Sequence, residues 1–245
     1  MVVVFHNLRS YDGHFIIKEA SAYTENIQVI AQTFEKYMMF KFCSVKFIDS
    51  FQFLSSSLET LAEGLITDDY KNFIHTKQYF QDDTKLMCQK GVYPYEYVKH
   101  VSVFDDVKLP PIDAFYSKLT LKSIEPEDYE HAQNVWKQMK CATFGDYHDL
   151  YLKSDVLLLT DIFETFRKQC QSYYKLDPAN YFSTPGFSWD AMLKQTKCNL
   201  GYINNDETRL YLEKGKRGGG RGCFRRLVCQ LTSSPAARLP RGFLF

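Results

Sequence analysis

Val2-Val3-Val4-Phe5-His6-Asn7-Leu8-Arg9-Ser10-Tyr11-Asp12-Gly13-His14-Phe15 is a buried-strand pattern that runs straight into a polar turn. Consecutive apolar residues rich in β-branched side chains read as an interior strand. Asp12 then lies just beyond a strand end, where open α/β sheets place their functional groups. A purely local reading stays open: Asp12-Gly13 can simply supply turn geometry. The strand starts at the second residue with nothing before it to pair, so a domain lacking its N-terminal strand or strands is expected.

Outward from that stretch, residues 26–40 read as an amphipathic helix. Val45 to Phe53 reads as a strand that turns at Asp49-Ser50, and Leu58 to Leu65 as a helix. Residues 67–123 are polar, aromatic and irregular, punctuated by Gly91-Val92-Tyr93-Pro94-Tyr95 and Leu109-Pro110-Pro111. Helix returns at Pro126, a residue suited to the first turn, with Glu125, Glu127 and Asp128 around the positive helix end. A longer helix is expected from about Asp149 to Tyr174. Another, near Ser188 to Gln195, follows the Thr184-Pro185-Gly186 turn. Strands alternating with helices make the body α/β.

The formal net charge is +1, but it is the sum of two unlike parts. The first 213 residues carry 29 acids against 22 bases, while the last 32 hold eight bases and no acid. With 45% hydrophobic and 16% aromatic residues the body can bury a core. Seven scattered cysteines without a C-x-x-C spacing disfavour a disulfide framework and a zinc site, and suit an intracellular, reducing compartment. No apolar run reaches the ~18 residues of a membrane span, and no signal-peptide pattern follows Met1.

The long helix carries the most informative polar residue. At 100° per residue, Lys153, Thr160, Asp161, Glu164 and Lys168 share a polar face, and Leu158, Leu159, Ile162 and Phe166 the opposite one. Asp155 falls in the middle of the apolar face, one turn after Tyr151. A carboxylate there is costly to desolvate unless it meets a metal or another cation. Both partners fit: a bound metal, or a lysine or loop that it caps. His75, His100, His131 and His148 show no ligand spacing, and His6 and His14 flank the first cluster.

Taken together the clusters match a family. Asn7-x-x-x-Tyr11-Asp12 resembles the second exonuclease motif of family B DNA polymerases, and Tyr151-x-x-x-Asp155 resembles the third. The similarity is to the protein-primed branch found in bacteriophages, adenoviruses, linear plasmids and Maverick/Polinton-type mobile elements. Phe47-Ile48-Asp49-Ser50, Lys90-Gly91-Val92-Tyr93-Pro94-Tyr95, Leu109-Pro110 and Tyr181-Phe182-Ser183-Thr184-Pro185-Gly186 resemble that branch in order, over about residues 2–219.

The resemblance implies an RNase H-like 3′–5′ exonuclease domain with a mixed sheet and flanking helices. It implies residues 1–175 as that partial domain and 176–219 as a connector toward a polymerase palm; past 219 the likeness stops, and 220–245, basic and without an acid, is expected to be an aberrant, disordered tail. In the family four carboxylates hold two Mg²⁺ or Mn²⁺ ions; Asp12 and Asp155 match two of them. Tyr151 is implied to orient the attacking water, and Lys90 to stand near the scissile phosphate. Asn7 and Tyr11 are implied to hold the single-stranded 3′ end. Ser50 matches a primer-contacting Ser-Leu element, with Phe51 in place of the leucine; Ser57-Leu58-x-x-Leu61 fits that pattern literally. Lys216-Arg217-Gly218-Gly219 resembles the linker that touches DNA, so Arg217, Gly218 and Gly219 join the expected DNA contacts. A terminal priming protein is the implied partner besides DNA, and the implied location is nuclear for a eukaryotic mobile element and otherwise cytoplasmic.

The departures are equally specific. The first exonuclease motif, Asp-x-Glu on a strand, and the palm motifs are not in the sequence. Asp128-Tyr129-Glu130 is the sole Asp-x-Glu, out of order and opening an acidic helix, where a solvated first turn is expected. The expectation is therefore a fragment of a DNA-directed DNA polymerase that cuts DNA weakly or not at all on its own. Two other readings stand beside it: a non-catalytic remnant that binds single-stranded DNA or a replication partner, and a stand-alone exonuclease using Asp128 and Glu130 with Asp155.

Overall fold

The computed structural model describes residues 1–216 apart from 25, 34, 68, 69, 199 and 202. The tail expected at 220–245, with Arg217, Gly218 and Gly219, lies outside the described residues. The chain divides into two compact units, Met1–Thr196 and Lys197–Phe245.

That unit is built on four strands, β1 (Val2–Phe5), β2 (Ile27–Thr33), β3 (Lys36–Phe42) and β4 (Val45–Asp49), in spatial order β1-β4-β3-β2. β1 runs parallel to β4, with Val4 opposite Ile48. β3 is antiparallel to both of its neighbours, so the sheet is mixed. The strand expected at Val2 is present but lies at a sheet edge among the described residues, half-exposed rather than interior.

The helix expected over 26–40 is instead the β2–β3 hairpin. Ile27, Val29, Ile30 and Thr33 are β-branched and suit a pleated surface better than a helix. Pairing decides between the two periods: Phe40 sits opposite Phe47, the rings stack at 4.8 Å, and Phe42 stacks on Phe47 at 5.2 Å. Phe40 and Ile48 are fully buried.

Between β1 and the hairpin runs α1 (Asp12–Ser21), with Asp12 at its positive end. α2 (Leu58–Leu65) is capped by Ser57, whose hydroxyl accepts from Thr60 N at 3.2 Å. Ser57-Leu58 is thus a helix start. The irregular stretch expected over 67–123 contains α3 (Ile74–Phe80), the single turn α4 (Thr84–Met87) and short 3-10 turns at Val101–Asp105 and Ile112–Phe115. α5 (Pro126–Gln138) has its proline in the first turn, as expected.

α6 (Phe144–Tyr174) is the axis of the unit. Its N-terminus closes with a capping box, Thr143 and Asp146 each accepting from the other's backbone. Backbone hydrogen bonds from Thr143 and Ala142 hold the Asp146 carboxyl below the usual range. Phe144, Tyr147, Leu150, Ser154, Leu158 and Ile162 recur at three- and four-residue steps and form the buried stripe. Phe144, Tyr147 and Leu150 pack with Phe80, Met87 and Val135; Leu158 and Ile162 pack with Ala62, Phe73 and Cys88.

One member of the expected polar face of α6 is not solvated. Asp161 is 1% exposed and accepts from His75 N (2.8 Å), Thr76 N (2.9 Å) and the Thr76 hydroxyl (2.7 Å). It caps α3 from a distance, because α3 has no side-chain cap of its own. α7 (Thr184–Thr196) packs Phe187 and Ala191 against Cys170 of α6. The turn between them is tied down by Arg167, whose fork meets Asp177 at Nε (2.9 Å) and NH2 (2.5 Å). In the second unit α8 (Asp206–Lys216) opens with Asp206 and Glu207 at its positive end.

Candidate functional site

Two groups of expected residues are each brought together, on different elements. The first joins α6 to the segment after α4. The Lys90 ammonium donates to Asp155 Oδ2 at 2.8 Å and to Tyr151 Oη at 3.0 Å, and lies 5.1 Å from the centre of the Tyr151 ring. Tyr95 and Tyr151 share a hydroxyl contact of 2.8 Å. Tyr93 stacks on Tyr151 at 4.9 Å and bonds His148 Nδ1 through its own hydroxyl. The chain passes close beneath this ring at Gly91, where a Cβ would stand 3.3 Å from Tyr151 Cδ2. A glycine at that position lets Lys90 turn back toward the helix.

Burial, and after it the charge of Asp155, pushes the Tyr151 hydroxyl far above its ordinary value, so it remains a neutral hydroxyl. Burial likewise raises Tyr93 to about 12. Of the two cationic partners expected for Asp155, the structure supplies a lysine at Oδ2. Its other oxygen, Oδ1, is buried with no hydrogen-bond partner.

The second group sits where β1 ends. Asn7 takes the left-handed conformation (φ 66°), which asparagine tolerates better than most residues. That turn is held from below by Asp49 at the end of β4, which is fully buried. Its carboxylate accepts from Asn7 N (2.8 Å), Phe51 N (3.0 Å) and, at 3.4 Å, Arg9 N. Ser50 is also fully buried; its hydroxyl donates to Phe5 O (2.8 Å) and meets His6 Nδ1 (2.9 Å). Ser50 thus clamps β1 to β4.

Tyr11, by contrast, is 67% exposed, its ring edge-on to Phe15 at 4.9 Å. Asp12 begins α1 half-buried. Among the described residues no hydrogen bond or ion pair joins Asp12 to Lys90, Tyr151 or Asp155. Asp128 and Glu130 are exposed on the first turns of α5, as expected of a solvated helix start.

A divalent metal needs several oxygen donors converging on one point. Among the described residues no group of three or more His, Cys, Asp or Glu side chains does so. Asp155 Oδ1 is a suitable single ligand, but Lys90 already neutralises the other oxygen. The described residues therefore do not make up a site for Mg²⁺ or Mn²⁺, and among them the trio of Asp128, Glu130 and Asp155 does not converge.

The model of the family DNA polymerase type B, organellar and viral, matches residues 1–219. The chain belongs to that family. No curated protein and no solved structure shows significant similarity to it. DNA is accordingly the macromolecule on which this polymerase family acts, and both site groups lie within the matched residues. Among the described residues no helix is long and apolar enough to cross a membrane.

Sequence reasoning missed the roles of two residues, Asp49 and Asp161. A carboxylate directly after a buried strand, as in Phe47-Ile48-Asp49, is a signal for a backbone-accepting turn residue. Asp161 carried no such signal, because its partners are 85 and 86 residues away.

Proposed function

We propose that the body of this type B polymerase chain is the strand-holding part of an RNase H-like 3′–5′ exonuclease domain from a protein-primed enzyme. In this reading the Asn7–Tyr11 turn receives the single-stranded 3′ end. Tyr11 offers a stacking face to a base, and Asn7 supplies polar contact to the strand. Lys90 and Tyr151 lie toward the scissile phosphodiester, with Asp12 and Asp155 as the metal-directed carboxylates of the complete enzyme. A terminal priming protein is the further partner of that enzyme.

The observation that carries the reading is the exposed Tyr11 ring on a turn whose backbone is fixed by the fully buried Asp49. An exposed aromatic ring on a turn with a fixed backbone offers a face on which a base can stack. Because the donor set for a metal is not assembled on these residues, the chain as it stands binds a single strand rather than cutting it.

Fluorescence anisotropy with a labelled oligothymidylate in EDTA tests this. Binding at low salt that weakens about tenfold or more in Tyr11→Ala is expected. No binding at low salt would sink the reading. Mg²⁺-dependent shortening of the strand, abolished by Asp155→Ala, would establish the cutting alternative, which the unpartnered Asp155 Oδ1 favours.

A further inference from the structure

The geometry points to Arg9 as a phosphate-binding residue that grips the backbone of the strand whose base stacks on Tyr11; this rests on the strand-holding reading above. Arg9 lies in the 3-10 turn Leu8–Ser10, between Asn7 and Tyr11. The turn is anchored from both sides, Leu8 being fully buried and Arg9 N reaching the Asp49 carboxylate. The arginine backbone is therefore fixed before its side chain meets anything.

The side chain then finds almost no partner of its own. Its guanidinium lies 5.9 Å above the Phe51 ring, and NH1 approaches Gln32 Oε1 at 3.5 Å, the outer limit of a hydrogen bond. Nε is buried with no partner at all. Among the described residues no carboxylate comes within ion-pair distance of it. The nearby Asp49 carboxylate is taken up by main-chain N–H groups and Gln52.

Arg167 in the same protein shows the satisfied state. Its Nε and NH2 meet the two oxygens of Asp177, and its NH1 meets Glu164. Arg9 has the same fork, held against an aromatic face, with no such anion in it. A phosphodiester presents two oxygens in the geometry that a guanidinium fork accepts. The departure at Phe51 from the expected leucine gains a purpose here, since an aromatic ring at that position gives the guanidinium a face to rest on.

The test uses the full chain, EDTA, and anisotropy of oligothymidylates from about 25 to 200 mM KCl. One methylphosphonate linkage is walked through the last few positions from the 3′ end. Wild type is expected to lose about tenfold at one linkage. Arg9→Gln should bind about tenfold more weakly, lose nothing further at that linkage, and show a salt slope reduced by about 0.7. Arg9→Lys, which keeps the charge without the fork, should fall between.

If Arg9→Gln keeps the wild-type slope and the wild-type methylphosphonate pattern, Arg9 only packs on Phe51 and the inference fails while Tyr11-dependent binding stands. If wild type itself does not bind, the strand-holding reading fails first and this inference with it. Should Arg9→Gln not fold, the methylphosphonate walk compared between wild type and Arg9→Lys decides: an identical profile in both overturns the inference.

Discussion

Replacing Lys90 by methionine removes a charge while keeping most of the side-chain volume, so its effect isolates the contact with Asp155 and Tyr151. At 2.8 Å the ion pair has a gross attraction of about 6 kcal/mol at an effective dielectric constant of about 20. Most of that is offset by desolvation. The Lys90 and Asp155 side chains are 29% and 22% exposed, which places the pair between two measured limits. Exposed pairs contribute up to about 1 kcal/mol, whereas removing one partner of a fully buried pair costs about 3–5 kcal/mol. With the lost bond to Tyr151 included, Lys90→Met should destabilise the protein by about 2 kcal/mol. Urea unfolding followed by circular dichroism reads this as a midpoint lowered by about 1 M at unchanged slope. In the cycle with Asp155→Asn the two changes should couple by about 1–2 kcal/mol, the double variant being more stable than additivity requires. A Lys90→Met loss below about 0.5 kcal/mol, or strict additivity in the cycle, would show that Asp155 does not depend on Lys90.

The remaining expectations concern the frame around the site. Asp161→Ala strands two N–H groups and a hydroxyl at the start of α3 and should cost about 3–4 kcal/mol in the same urea assay, with Asp161→Asn intermediate; a loss under about 1 kcal/mol would refute its capping role. The hydrogen bonds from Arg167 hold the Asp177 carboxyl below its ordinary range. Its unfolded form binds the proton first as pH falls, so the stabilisation is present above about pH 4 and fades as pH drops through the lowered folded value. Between pH 6 and 2 the urea midpoint should therefore fall less steeply in Arg167→Met than in wild type; parallel curves would contradict the assignment. Burial first, and then the Asp161 charge, raises the Cys88 thiol to about 12. Peptide mapping after brief iodoacetamide treatment at pH 8 should find exposed Cys43 labelled and buried Cys88 and Cys170 protected until urea is added.

What could be read from the amino-acid order was what is local. The helix from Leu58, the proline at the head of α5 and the start of β1 all depend on neighbours a few residues apart. The hairpin was misread because Ile27 to Phe40 satisfies a helical period nearly as well as a strand period. Only the stacking of Phe40 and Phe42 on Phe47, across the β3–β4 pair, removes the ambiguity. The same limit applies at the site. Asp155 was legible as a carboxylate needing a cation, since its place on an apolar helix face is local information. That Lys90 is the cation is a contact across 65 residues. Ser50 and Asp49 look like neighbours of a surface turn in the sequence. Folding of β1 against β4 buries both: Asp49 holds the backbone of Asn7 and Arg9, and Ser50 ties the end of β4 to Phe5 and His6.

The central claim is that the 3′ end of a single strand rests on the turn from Asn7 to Tyr11, and photo-crosslinking addresses it most directly. An oligothymidylate carrying 4-thiothymidine as its 3′-terminal base is irradiated with the full chain in EDTA, and the adduct is mapped by mass spectrometry. The predicted adduct lies on the peptide containing Tyr11, and Tyr11→Ala abolishes it without loss of fold. An adduct confined to peptides outside residues 6–15, or one equally strong with a blunt duplex, would contradict the claim.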